Sequence, residues 1–378
     1  YEKQTQDASG LSSSINNVSL AIDNLTGFNQ KLTAFNISAQ KAEQDWQAKI
    51  TSDQSKGTIG WPIEFNHSAR LKIDLDKLDL LLPETEDNTK KSQTTLWPAV
   101  EIAIGSLTVN QMALGELHVV ANRDESSWTV DLATLHSEAF VALVSIGDWQ
   151  QLATKDQSHF NLDLIIHDVE AYLSNFGYQE AIDAEMAEFS IDLSWPDQPF
   201  AANYGILNGT ATIDIGKGKV KDVEPGAAGR ILGLISVASI PQRLSLDFSD
   251  LFSKGFNFRT IKGSFNVANG KAVTDDLVMK GTAATIEVSG TADLANQQYD
   301  QLVKVRPNIS STLPIAGAVA GGPVGLGIGT AVMVVDKLAG KLFGKGLDKL
   351  ISYDYHLTGP WTDPQMNAVK PKLKLQEK

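Results

Sequence analysis

The sequence predicts a mainly β protein: an elongated, antiparallel, repeat-built β-groove with a few helices and a helical, apolar C-terminal segment. Three observations carry that expectation. Apolar and polar residues alternate with period two over most of the chain before residue 305. The alternation recurs at an offset of 82 residues. Finally, 29 consecutive residues between Arg306 and Asp336 bear no ionisable group.

The alternation is plain in "RLKIDLDKLDL", which sets Leu71, Ile73 and Leu75 against Lys72, Asp74 and Asp76. Val100, Ile102 and Ile104 alternate in "AVEIAIGSL", and Phe189, Ile191, Leu193 and Trp195 in "EFSIDLSW". Period two places such residues on one face of a pleated strand. Asn-Gly at 208–209 and 269–270 and Gly-Lys-Gly at 216–218 read as turns at short spacing. Close turns favour antiparallel meanders over βαβ units.

Residues 18–50 align on 100–132 without a gap, with 9 of 33 positions identical. Val18 meets Val100, Leu20 Ile102, Ile22 Ile104, Phe35 Leu117, Ile37 Val119 and Trp46 Trp128. A repeating β unit stacks on its neighbour to cover its apolar edge. The apolar faces could seal each other as a sandwich or remain a single curved sheet, since period two fits both. Repeat, length and scarcity of helices favour the open groove. Its lining is then Leu71, Ile73, Leu75, Ile102, Ile104 and Val119, followed by Leu162, Leu164, Ile191 and Leu193.

Helical patterning is sparse. "DVEAYLSNF" (168–176) is one short helix. "PGAAGRILGLISVASIP" runs from Pro225 to Pro241 and is apolar nearly all round, a profile that means burial on most sides. It predicts a capping helix over 226–240 at the groove exit, with Ile231, Leu232, Leu234 and Ile235 turned inward. Residues 1–225 thus hold the repeating groove units. Residues 226–378 hold this helix, strands over 244–305, a membrane-docking segment over 307–351 and a closing strand over 352–362.

The uncharged stretch is long enough to span a bilayer core, which needs about 20 apolar residues in a helix. Six glycines (317, 321, 322, 325, 327, 329) and three prolines (307, 314, 323) break any single span. Two short arms dipping into one leaflet fit better, presenting Leu313, Ile315, Val319, Leu326, Ile328 and Val332. Lys337, Lys341, Lys345 and Lys349 follow at every fourth residue, opposite Val335, Leu342, Phe343 and Leu350. A basic side facing an apolar side is an interfacial pattern.

Charge supports that division. The net charge is −13, which argues against nucleic acid as a partner. Residues 1–225 hold 15 Lys/Arg and 33 Asp/Glu, whereas residues 226–378 hold 17 and 12. An acidic body with a basic, apolar end fits contact with an anionic surface. The chain has no cysteine, so it has neither disulfides nor thiolate chemistry. Its six histidines (67, 118, 136, 159, 167, 356) show no metal-ligand spacing. No Gly-x-Ser-x-Gly elbow and no phosphate loop occurs. The expectation is therefore a non-enzyme without catalytic residues, metal or cofactor. A structural or adhesive β-repeat with a packed core is one alternative, and a hydrolase of envelope polymers another.

A family resemblance runs strongly over residues 226–365 and more loosely over 10–225. Residues 225–281, "PGAAGRILGLISVASIPQRLSLDFSDLFSKGFNFRTIKGSFNVANGKAVTDDLVMKG", resemble the C-terminal region of the AsmA-like family, in its YhdP branch. "DLANQQYDQLVKVRPNISSTLPIAGAVAGGPVGLGIGTAV" and "YDYHLTGPWTDPQM" continue the resemblance, as do strands ending at Gly147-Asp148-Trp149 and Leu193-Ser194-Trp195. The resemblance implies a Gram-negative envelope protein that bridges the periplasm and carries phospholipid as cargo toward the outer membrane. Its implied partners are phospholipids, the inner leaflet of the outer membrane, and the remainder of a longer chain reaching the inner membrane. The opening Tyr1 fits a C-terminal fragment of such a chain.

Overall fold

The computed structural model describes residues 15–27, 30–43, 45–64, 69–81, 97–152, 155–175, 182–220, 256–308 and 352–369. The chain is mainly β, as the alternation predicts, and divides into two compact units. Unit one comprises Tyr1–Asp163 with Pro196–Ala201, and unit two Leu164–Trp195 with Ala202–Lys378. The predicted boundary at 225–226, the helix over 226–240 and the segment over 309–351 lie outside the described residues.

Unit one is a succession of paired strands. They are β1 (Asn17–Gly27), β2 (Gln30–Lys41), β3 (Asp45–Thr51), β4 (Ser55–Pro62) and β5 (Arg70–Leu80). β6 (Ala99–Val109), β7 (Met112–Arg123), β8 (Ser127–His136), β9 (Phe140–Gln150) and the start of β10 (Gln157–Ile166) follow. Each of β1 to β8 pairs with its successor.

The internal repeat is written in the strand bounds. Adding 82 to 17–27 gives 99–109, the bounds of β6, and adding 82 to 30–41 gives 112–123, the bounds of β7. β3 and β8 start 82 residues apart as well, at Asp45 and Ser127. Five strands precede the second copy. Because five is odd, β5 runs the same way as β1, and so does β6, which repeats β1. The β5–β6 pair is accordingly parallel, among the described pairs of β1–β9 the one departure from the antiparallel meander that the turns predict.

Local chemistry sets the hairpins. Asn110 (φ 49) and Gln111 (φ 68) join β6 to β7 with both central residues left-handed, the condition for a two-residue turn matched to strand twist. Gly115 has φ 92 and lies opposite Leu107, where the β6–β7 register shifts. A Cβ there would sit 2.1 Å from the His136 carbonyl oxygen.

Unit two holds the one described α-helix, α1 (Val169–Asn175), on the segment whose pattern predicts it. Asp168 Oδ1 accepts the Ala171 N–H at 2.9 Å and caps its first turn. The strands are β11 (Ile182–Ala184), β12 (Ala187–Pro196), β13 (Asn208–Ile215), β14 (Gly218–Val220) and β15 (Phe256–Ala268). β16 (Lys271–Gly281), β17 (Ala284–Asp293), β18 (Gln298–Pro307), β19 (Tyr353–Pro360) and β20 (Gln365–Ala368) complete it. They pair antiparallel in the order β12, β13, β15, β16, β17, β18, β19, β20, with β14 also on β15 and β11 on β14.

Asn269 (φ 48) and Gly270 (φ 72) make the expected turn between β15 and β16. Asn208-Gly209 does not turn the chain. Gly209 (φ 142) stands within β13, flanked by Leu193 and Val267, and the Asp192 carbonyl occupies the space a side chain would need. At the bulges between β15 and β16, Asp276 accepts the Ser264 N–H at 2.7 Å and the Ser264 hydroxyl at 2.8 Å. Partial burial works to raise the Asp276 pKa. The hydrogen bonds from Ser264 and Thr274 outweigh it and hold the carboxyl below its ordinary value.

Replacing Gly115 by Ala adds a methyl group against a carbonyl at a left-handed backbone. The expected cost exceeds about 1 kcal/mol. Urea denaturation of Gly115→Ala, with Gly60→Ala as the spacious control (nearest atom 3.8 Å), measures the difference.

Candidate functional site

Register turns the period-two pattern into continuous rows on one face of unit one. One row passes through Leu20, Ile37, Ile50 and Gly57 and on through Leu75, Ile104, Leu117 and Leu135. The next passes through Val18, Ala39, Ala48 and Ile59 and on through Ile73, Ile102, Val119, Ala133 and Val144. At about 4.8 Å per strand the first row, over eight strands, is roughly 34 Å long and the second, over nine, roughly 38 Å. The predicted residues Leu71, Ile73, Leu75, Ile102, Ile104 and Val119 all lie on this face.

Burial differs along it. Leu75, Ile104 and Leu107 form a small buried cluster, with Ile73, Ile102, Leu117 and Leu135 packed at its margin. Ile37, Ile50, Ile59, Ile73, Ile102, Val119 and Val144 are only half-buried, and Leu20 is 51% exposed. Leu162 shares the alternation of Phe160, which packs against the tryptophans described next. Leu164, Ile191 and Leu193 fall in unit two and are half-buried.

In unit two the apolar face of β15–β19 is sealed. Ile261, Leu277, Met279, Ile286, Val303 and Leu357 are all 0% exposed. The contrast with β1–β9, where most large aliphatic residues of the rows are only half-buried, is plain. Contiguous exposed apolar surface of that extent marks a binding surface in a folded protein.

Tryptophans border the rows at one end of the strands. Trp46 on β3 and Trp61 on β4 are cross-strand partners whose rings stack, with centroids 6.1 Å apart and planes at 9°. Trp128 and Trp149 occupy the matching places on β8 and β9. There Trp97 closes edge-on over both, at 5.1 and 5.3 Å, and Trp149 is 0% exposed. Trp128 Nε1 donates to the Pro98 carbonyl at 3.2 Å, and Trp149 Nε1 to Asp156 Oδ2 at 3.1 Å. Sequence alignment pairs Trp46 with Trp128 but does not find Trp61 or Trp97. Their signal is the Trp-Pro dipeptide at 61–62, 97–98 and 195–196, which ends β4 and β12 and immediately precedes β6.

The opposite face is charged and holds two ion pairs, with Lys56 3.0 Å from Asp76 and Lys77 2.7 Å from Asp79. Among the described residues no group of three potential metal ligands comes together. Among them too, no helix is long and apolar enough to cross a membrane. Ile231, Leu232, Leu234 and Ile235 lie outside the described residues, as do Leu313, Ile315, Val319, Leu326, Ile328, Val332 and the four lysines from 337 to 349.

Comparison with known proteins decides the family. The family model described as YhdP protein matches residues 1–366. The chain belongs to the YhdP family. It is also similar to the intermembrane phospholipid transporter YhdP of Escherichia coli (strain K12), 30% identical over 230 residues. That stretch covers 61% of this chain and 18% of the relative, so the chain spans less than a fifth of that protein. No solved structure matches.

The two tryptophan sites should respond differently to truncation. Trp149→Ala empties a fully buried position and is expected to cost about 3–5 kcal/mol. Trp61→Ala removes a half-exposed ring whose stacking is worth about 0.5–1.5 kcal/mol beyond its area. Denaturant unfolding of both variants checks the order. Equal losses would contradict the open character of the Trp46–Trp61 pair.

Proposed function

We propose that this chain carries phospholipid, with acyl chains lying along the apolar rows of unit one. The observation that carries the reading is the half-exposed apolar face of β1–β9, continuous across both repeats. Each methylene taken from water onto that face contributes about 0.8 kcal/mol, so ten contribute about 8. The name of the E. coli relative, an intermembrane phospholipid transporter, supports phospholipid as the cargo. Sliding a lipid along such a face breaks no covalent bond. The role is therefore non-enzymatic and calls for no cofactor.

In this reading the chain is one part of a longer periplasmic conduit that delivers lipid toward the Gram-negative outer membrane and supports its permeability barrier. Ile231, Leu232, Leu234 and Ile235 cap the lipid path near its exit. The uncharged run and its lysines dock on the anionic inner leaflet of the outer membrane, where each Lys contributes about 1 kcal/mol.

Two experiments test this. Ile104 is 5% exposed, so a charge there would damage the fold, whereas Ile102 is half-buried and can accept one. Native mass spectrometry of the purified chain should find bound phospholipid. Ile102→Asp should lower its amount about tenfold or more, because a carboxylate in an apolar path is costly to desolvate. Glu101→Gln, on the opposite face, should leave it unchanged. A wild-type chain devoid of lipid, or an Ile102→Asp chain that keeps it, refutes the reading.

Docking is read by co-flotation with phosphatidylglycerol vesicles. Binding should weaken with salt but not vanish. Changing Lys337, Lys341, Lys345 and Lys349 to Gln should remove only the salt-sensitive part. A chain that ignores these vesicles at low salt has no docking segment.

A further inference from the structure

The rows end in a charge that alternation does not explain. On β2 the apolar-face positions run Phe35, Ile37, Ala39 and then Lys41. On β7 they run Leu117, Val119, Ala121 and then Arg123. Since 41 plus 82 is 123, the two cations occupy equivalent places in the repeat. Each is the cross-strand partner of a tryptophan that is equivalent too, Lys41 of Trp46 and Arg123 of Trp128. The adjoining turns also match. The Ala42 N–H donates to the Asp45 carbonyl at 2.7 Å, and the Asp124 N–H to the Ser127 carbonyl at 2.8 Å.

We propose that Lys41 with Trp46 and Arg123 with Trp128 form two stations that bind the phosphodiester of a phospholipid whose acyl chains lie on the aliphatic rows. This rests on the lipid-carrying reading above and adds a headgroup site to it. Both cations are half-buried beside the apolar face. Among the described residues neither has a carboxylate partner, whereas Lys56 and Lys77 on the opposite face are both paired. The Arg123 Nε is buried without an acceptor. Such a cation is stabilised by an anion brought to it, and charge-assisted hydrogen bonds to phosphate are among the strong ones. Tryptophan suits the boundary where an acyl chain ends and a polar headgroup begins. Five strand steps of about 4.8 Å separate the stations by roughly 24 Å along the rows.

The surroundings commit the site to lipid phosphate and against the free ion. Glu43, Asp45, Asp124 and Glu125 stand in or beside the two turns, and all four are exposed. They repel a freely diffusing anion. A phosphate delivered by acyl chains already held on the rows overcomes that repulsion. Lys41→Gln and Arg123→Gln remove charge without creating a cavity in the buried cluster.

The test compares two fluorescent probes with identical chains, phosphatidylglycerol and diacylglycerol, retained on the chain through gel filtration. The Lys41→Gln/Arg123→Gln variant should retain about tenfold less phosphatidylglycerol, the scale expected for lost charge-assisted bonds. Its diacylglycerol retention should equal that of wild type. Lys41→Arg should restore phosphatidylglycerol retention at its station, and Lys56→Gln should change nothing. Inorganic phosphate at millimolar concentration should not displace either probe. If the double variant holds both probes as well as wild type, the stations are refuted and the lipid-carrying face stands. If inorganic phosphate displaces phosphatidylglycerol but not diacylglycerol, the cations form a free-anion site and the proposal is wrong. If wild type retains neither probe, the lipid-carrying reading itself fails.

Discussion

Register across the β-ladder is the constraint on which the rest depends. Side chains alternate with period two, so a slip of one residue would move every apolar row to the charged face. In unit one the rows keep their side from β1 to β9, through hairpins, one parallel joint and several bulges. The bulges at Lys56/Gly57, between Ile104 and Leu107, and at Val120/Ala121 each add a residue to one strand. Without correction, each would invert the alternation beyond it. The sequences supply that correction. Leu75 gives way to Leu78 in β5, Ile104 to Leu107 in β6, and Val130 to Ala133 in β8, each a step of three where two is the rule. Apolar spacing and bulge position agree with each other, and this agreement keeps one face apolar.

Much of this was legible in the residues. Alternation identifies strands because pleating makes it so, and the gapless match of 18–50 on 100–132 anticipates equal strand bounds. Other features were beyond its reach for definite reasons. Period two is blind to strand direction, so the parallel β5–β6 joint follows only when the odd number of strands per copy is counted. Asn-Gly at 208–209 has the composition of a turn, yet Gly209 serves the close approach of two backbones inside β13. Alternation also says which face a residue takes but not how deeply it is covered. Ile102 and Ile104 read alike in sequence, and only packing makes one half-buried and the other buried. Lys41 and Arg123 were within reach of the repeat alignment. They are overlooked when only its apolar pairs are counted.

The two units resolve the same patterning problem in opposite ways. Unit two seals the apolar face of β15–β19, with side chains at or near zero exposure. That is the ordinary outcome, because apolar area left in water costs about 25 cal/mol per Å². Unit one, made of similar strands, leaves most of the large aliphatic side chains of its rows half-covered, with full burial at Phe35, at the row alanines Ala39 and Ala48, in the Leu75–Ile104–Leu107 cluster and at the Trp128–Trp149 pair among others. These clusters give the sheet fixed points, so the intervening rows need not be covered for the fold to hold.

An open apolar face is stable only if its exposure is limited or its occupant is common. The tryptophan borders address the first condition, since large rings cover row ends while their N–H groups meet the polar side, as Trp128 and Trp149 do at Pro98 and Asp156. The phospholipid proposed above would meet the second, since acyl chains match aliphatic rows and a phosphate matches a cation at their end. The paired charges of the opposite face keep that side in water and unavailable to lipid. Alternation thereby does two things at once. It specifies the strand, and it separates a solvated side from a side on which a hydrocarbon chain can rest without meeting a charge.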